Sequence, residues 1–237
     1  MPETIDYDAL KKRGFLRQKQ EGFFLLRVRM ACGNFSLACL EKVIEIARVY
    51  GRGFVHTTTR QGIEIPFIKF GDIAMVETEI KKAGIETGTS GPRLRTMTSC
   101  PGNNWCKSGL VNTSALYERI EKDGIRCAMD LPHKFKIAIS GCPNTCTRAQ
   151  QSEIGIHGQV DIASPDKHIG YAVYLAGCGG KTPRTGFKLD KIFSEDEVLG
   201  LIERVVAFFK AHAKPRQRLA LLVEEIGKER FLQEVMR

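Results

Sequence analysis

The chain has 237 residues, 43% of them hydrophobic, and a formal net charge of +9; that is enough for one large domain or two small ones with a sizeable core. No stretch has the apolar length of a membrane span, and MPETIDYDALKKRG at residues 1–14 has no signal-type apolar run, so the expectation is a soluble, cytoplasmic protein. In a reducing compartment the eight cysteines point to metal ligation or burial rather than disulfides. The bases are scattered among acids, which disfavours a nucleic-acid face and suits a polyanionic cofactor, a small oxyanion or an acidic partner protein.

In chain order, residues 1–20 read as a polar lead-in with some helical character. FFLLRVRM, from Phe23 to Met30, reads as a strand, and Cys32-Gly33-Asn34 breaks it. Ser36 is placed to cap a helix to about Tyr50, with Leu37, Leu40, Val43, Ile44 and Ala47 on one face. Phe54 to Thr58 and Ile63 to Ile68 form two strands around the turn Arg60-Gln61-Gly62. Asp72 can cap a helix to about Ala83, and a short strand follows near 85–87. The order βαββα(β) suits a ferredoxin-like α+β half-domain over residues 15–87.

Gly88 to Gly102 holds three glycines and two prolines; it reads as irregular and as the boundary to a second domain, 88–237. A helix is expected over Asn103 to Lys122, and a strand from Lys134 to Ile139, where Phe135, Ile137 and Ile139 alternate with Lys134, Lys136 and Ala138. Strands follow over Glu153–Ile162 and Tyr171–Leu175, then the glycine-rich loop 177–181. Ser194, with Glu195, Asp196 and Glu197 after it, starts a helix to about His212, and Pro215 precedes one last amphipathic helix.

Two cysteine pairs stand out, C-x5-C at Cys100 and Cys106 and C-x3-C at Cys142 and Cys146, each with proline after its first cysteine. Structural zinc prefers C-x2-C knuckles. Iron–sulfur clusters accept four thiolates on looser loops, whose glycines let backbone N–H groups approach the sulfurs. Spacing favours a cluster and leaves zinc and unligated cysteines open. Burial is the expectation for Cys39 and Cys127, Cys32 has no partner at useful spacing, and Cys178 is open between burial and facing a ligand.

Cations accompany these loops. Lys134 and Lys136 share one face of their strand, as do Arg27 and Arg29 of theirs. Arg93 and Arg95 precede Cys100, and His56, Thr57, Thr58, Thr59, Arg60 and Gln61 crowd a hairpin tip. Each feature alone also fits a solvated face or a polar turn.

Together FLLRVRMACG, TTTRQGIEIP, KFKIAISGCPN, the C-x5-C…C-x3-C quartet with GCPNTCTRA, and EIGIHG resemble the sirohaem-dependent sulfite and nitrite reductases over roughly residues 13–213. The resemblance implies an α/β sirohaem and 4Fe–4S domain after the half-domain, with Cys100, Cys106, Cys142 and Cys146 as cluster ligands and Cys146 bridging to the sirohaem iron. It implies that Thr58 and Arg60, with His56 and Asn144, help hold the macrocycle, whose eight carboxylates give the scattered positive charge a purpose. It places Arg27, Arg95, Lys134 and Lys136 around the substrate, with Arg93 as the alternative to Arg95 because that match needs a one-residue shift.

The reaction implied is six-electron reduction of sulfite to sulfide, with nitrite as the alternative; Lys136 favours sulfite. No GxGxxG follows a strand, so electrons are expected from a separate donor such as ferredoxin or a partner subunit. Typical members carry two copies of this repeat and this chain carries one, so a homodimer sharing its sites is expected. The competing classes are a non-catalytic iron–sulfur electron-transfer subunit and a zinc-bearing nucleic-acid binder.

Overall fold

A computed structural model describes residues 5–88, 90–122 and 130–237 and divides into two units, Met1–Ser90 and Gly91–Arg237. In the first unit, helix α1 (Tyr7–Lys12) is capped by the Asp6 carboxylate and leads into β1 (Phe15–Arg17). There follow β2 (Phe23–Arg29), α2 (Leu37–Val49), β3 (His56–Thr57), β4 (Ile63–Lys69), α3 (Ile73–Lys82) and β5 (Glu86–Thr87). All pairings are antiparallel, in the order β1-β2-β4-β3; β1 takes Phe24–Leu26 of β2, and β5 takes Val28 and Arg29. Phe24, Leu26 and Val28 alternate into the core beside Val43, Ile46, Val76 and Ile80 of the helices, leaving Arg27 on the opposite face. This is the ferredoxin-like α+β half-domain of the expected order. The lead-in differs by adding β1, too short to show a period of its own.

The second unit holds β6 (Thr98–Ser99), α4 (Thr113–Lys122), β7 (Ile137–Ser140), β8 (Ile154–Val160), β9 (Ile169–Leu175), β10 (Phe187–Lys188), α5 (Glu195–His212), α6 (Leu219–Ile226) and α7 (Lys228–Val235). Its sheet runs β10-β9-β8-β7-β6, with β6, β7 and β8 parallel and the remaining pairs antiparallel. Ser194 and Glu197 close a reciprocal capping box on α5.

Four expectations need correction. The stretch 88–102 is not wholly irregular, since it contains β6. Helix α4 starts at Thr113, not Asn103: the Asn103 amide donates to the Val111 carbonyl (3.0 Å) and the Leu110 amide to the Gly141 carbonyl (2.8 Å), so 103–111 form a loop, and the Asn112 carboxamide caps the helix through Ala115 N–H (3.0 Å). Regular strand pairing begins at Ile137, not Lys134, with a single earlier parallel bridge between Leu94 and Phe135. The last helix is two helices, broken at Gly227, whose φ of +90° suits glycine. Among the described residues no helix is long and apolar enough to cross a membrane.

Candidate redox centre and anion site

Parallel β6 and β7 deliver their C-terminal ends to one edge of the sheet, so Cys100 and Cys142 leave neighbouring strands side by side. The Cys100 amide continues the ladder to the Ile139 carbonyl (3.1 Å), and the Gly141 amide donates to the Cys100 sulfur (3.0 Å). Close approach is possible because the contacts are backbone on backbone. A Cβ on Gly141 would stand 2.6 Å from Gly102 Cα, and one on Gly109 would overlap the Gly102 backbone. Thr113 Oγ1 donates to the Cys100 carbonyl (2.5 Å), tying α4 to the first loop.

The second loop coils tightly after Cys142. The Thr145 amide donates to the Cys142 carbonyl (3.2 Å) and the Arg148 amide to the Thr145 carbonyl (2.7 Å), with Thr145 and Arg148 at positive φ. Ser140 and Thr147 hydroxyls meet at 2.7 Å across its base. Cys142 is buried, Cys100 half-buried, and Cys106, Cys146 and Asn144 are exposed. Among the described residues no three His, Cys, Asp or Glu side chains are gathered as a site for one metal ion. The donor set does fit a 4Fe–4S cluster: thiolates on loops fixed by glycine contacts, one sulfur already receiving a backbone N–H.

The remaining described cysteines have other settings. Cys39 is buried in α2, and burial pushes its thiol up. Cys32 is buried at φ 55°. Cys178 is also buried, its S–H aimed at the Thr182 carbonyl (3.7 Å), and its backbone pairs reciprocally with Arg184. Cys127 lies outside the described residues.

In the first unit, Arg27, Glu64 and His56 occupy one rung of the sheet. Arg27 donates through Nε (2.9 Å) and Nη2 (2.6 Å) to one oxygen of Glu64. Arg29 is paired in the same way with Glu86. His56 is exposed and Arg60 half-buried. Thr58 Oγ1 accepts the amides of Arg60 (3.2 Å) and Gly62 (3.0 Å), so the hydroxyl shapes the turn and keeps its proton to donate.

In the second unit, the Phe135 amide donates to the Arg93 carbonyl (3.1 Å) and the Arg95 amide to the Phe135 carbonyl (2.8 Å). This register sets Arg93 abreast of Lys134 and Arg95 abreast of Lys136, on the side away from Leu94 and Phe135. Arg93 is buried; Arg95, Lys134 and Lys136 are half-buried.

Sequence reading missed Glu153 and Arg218. Glu153 is fully buried, accepts the Lys136 amide (2.9 Å) and the Arg218 Nε–H (2.6 Å), and forms an ion pair with the same guanidinium through Nη2. Arg218 also donates to the Gly179 carbonyl (3.3 Å), joining the lysine segment, the glycine-rich loop and the start of α6. An acid at the head of the apolar strand EIGIHG was the visible signal; nothing in the sequence singled out Arg218 as its partner.

Residues 90–237 match the family model described as the nitrite and sulphite reductase 4Fe-4S domain, and residues 16–83 match the nitrite/sulfite reductase ferredoxin-like half domain. The coenzyme F420-dependent sulfite reductase of Methanocaldococcus jannaschii is 31% identical across 98% of this chain, which spans 44% of that protein. The nitrite reductase [NAD(P)H] large subunit of Klebsiella oxytoca is 29% identical across 99% of this chain, which spans 24% of that protein. The assimilatory-type sulfite reductase of Nitratidesulfovibrio vulgaris is 25% identical across 94% of this chain and 97% of its own length. Among solved structures, the NirA protein of Mycobacterium tuberculosis superposes with a TM-score of 0.83 at 19% identity, covering 98% of this chain and 47% of that one.

Proposed function

The chain belongs to the nitrite and sulfite reductase family, whose enzymes use sirohaem and a 4Fe–4S cluster, and we propose that it reduces sulfite to sulfide by six electrons. The observation that carries the reading is the pair of like-charged rungs, Arg93 with Lys134 and Arg95 with Lys136, on strand segments that run directly into the cysteine loops. Like charges set abreast are unfavourable by themselves, so their placement suits an anion.

In this reading Cys100, Cys106, Cys142 and Cys146 would hold the cluster, and Cys146 would be the thiolate that couples it to the sirohaem. Thr58, Arg60, His56 and Asn144 serve the macrocycle's carboxylates. When bound, the coupled cofactors supply single electrons to the anion. Arg27, Arg95, Lys134 and Lys136 would hold its oxygens and offset the charge that accumulates, and the two lysines would supply protons to them. Glu64 holds the Arg27 guanidinium through Nε and Nη2, fixing its orientation on the sheet.

Electrons come from an external donor, either a ferredoxin-type protein or a partner subunit. A second copy of this chain completes the site; light scattering showing an active, cofactor-loaded monomer contradicts it. Reduction of nitrite to ammonia is the second reading, favoured by the Klebsiella oxytoca relative. Steady-state rates with sulfite and nitrite and a reduced dye decide between them: faster turnover of sulfite supports the proposal, and much faster turnover of nitrite at comparable concentration overturns it.

A further inference from the structure

Arg93 stands apart from the other cations. It is only 8% exposed, and its buried Nε has no hydrogen-bond partner. Among the described residues it forms no ion pair. A guanidinium stays charged at any relevant pH, and a buried charge without a counter-charge is strongly unfavourable. The register adds to this by placing Lys134, another cation, abreast of it. The surroundings carry the same sign: His133 lies below the usual imidazole range, first through burial and then through Lys134, Arg218 and Arg216. Glu153, the buried acid that accepts the Lys136 amide, is itself engaged by Arg218.

We propose that Arg93 is a further anion-binding residue of this site, acting with Arg95 rather than in its place, and that its partner is an anionic oxygen group brought by a ligand. The inference rests on the reading of this face as the anion site. Two ligands offer that chemistry, a carboxylate of the macrocycle and the substrate oxyanion. The planar fork of arginine matches either in bidentate fashion, which a lysine does not.

The test uses cofactor-loaded protein bearing Arg93→Met or Arg93→Lys, beside wild type and Lys136→Ala. Two quantities are measured: sirohaem retained per chain after gel filtration, from the visible bands, and the dissociation constant for sulfite from the spectral shift on titration. If the partner is a macrocycle carboxylate, Arg93→Met loses sirohaem at least ~10-fold faster than wild type while cluster iron stays bound, and Arg93→Lys recovers part of the loss. If the partner is the substrate, sirohaem stays and sulfite binds at least ~10-fold more weakly. Both arms support the proposal. Should Arg93→Met fail to fold, the same two measurements on Arg93→Lys decide. Unchanged retention and unchanged sulfite affinity in the Arg93 variants, with Lys136→Ala weakening sulfite binding, overturn the inference alone. If Lys136→Ala is also without effect, the reading of this face fails as well.

Discussion

The two units treat positive charge differently. In the first, Arg27 and Arg29 each face a carboxylate on an adjoining strand, Glu64 and Glu86, so their charges are matched within the sheet. In the second, Arg93 and Arg95 lie abreast of Lys134 and Lys136, and the buried acid Glu153 is engaged by Arg218 and the Lys136 amide. Matched rungs hold a sheet together with or without a ligand; like charges set abreast are unfavourable by themselves and suit an anion. The difference is between cations set opposite a carboxylate and cations set beside other cations.

Replacing Cys146 or Cys100 with serine removes a thiolate that nothing else in its loop can supply. Cluster iron and acid-labile sulfide should be lost and turnover should vanish, while far-UV circular dichroism of the first unit's sheet persists.

Lys134→Ala and Lys136→Ala probe the like-charged rungs directly. Both should keep the visible spectrum and lower turnover by roughly 10²-fold or more, the scale of removing an electrostatic group at the reacting atoms. If each protomer's lysines serve its neighbour's substrate, mixing Lys136→Ala protomers with Cys146→Ala protomers restores part of the activity. No recovery means each chain is self-sufficient.

Glu153→Leu leaves Arg218 buried without its partner and frees the Lys136 amide. Breaking such a pair from one side costs about 3–5 kcal/mol, which chemical denaturation would register. Glu153→Gln keeps an acceptor for the amide and should cost less. If the two variants are equally stable, Glu153 does not hold the lysine segment in the way described.

In the matched unit, Glu64→Gln should leave the sheet intact and loosen Arg27. The expected outcome is a raised KM for sulfite with a smaller change in kcat, about 10-fold in kcat/KM, since one charge-assisted hydrogen bond is weakened.

The smallest effect concerns α5, far from the chemistry. Ser194→Ala removes the capping box at a cost of about 1 kcal/mol. Glu197, in the same box, is drawn down from 4.5 to about 2, first by its hydrogen bond to the Lys191 ammonium and then by the Ser194 amide. A carboxylate lowered in this way stabilises the fold above its ordinary range, and the contribution is lost as pH falls from 4.5 towards 2. Because the side chain is 44% exposed, the effect is small. Thermal unfolding of wild type and Glu197→Gln should differ near neutral pH and converge as the pH drops through that window.

Much of this organisation was legible in the residues. Alternation in FFLLRVRM and IEIPFI placed β2 and β4, and Ser36 and Ser194 marked the starts of α2 and α5 because a hydroxyl there satisfies an orphan amide. The cysteine spacing showed two loops but not that parallel strands bring them to one edge. Long-range register decides that, through Thr98–Ala138 and Ser99–Ile139. For the same reason the long helix read from Asn103 was wrong: its first turns are claimed by Gly141 and Val111, which no local pattern announces. The strand Lys134–Ile139 was visible as alternation, but the pairing of its cations with Arg93 and Arg95 follows from one bridge, Leu94 to Phe135, that periodicity cannot supply.

The central claim is that the two cysteine loops and the cation face beside them form one redox centre for an oxyanion. It is tested most directly by the visible spectrum of anaerobically purified protein, with iron and acid-labile sulfide counted per chain. The account predicts strong sirohaem bands that shift when sulfite is added, with about five irons and four sulfides per chain. Iron and sulfide without macrocycle bands, or zinc in their place, would contradict it.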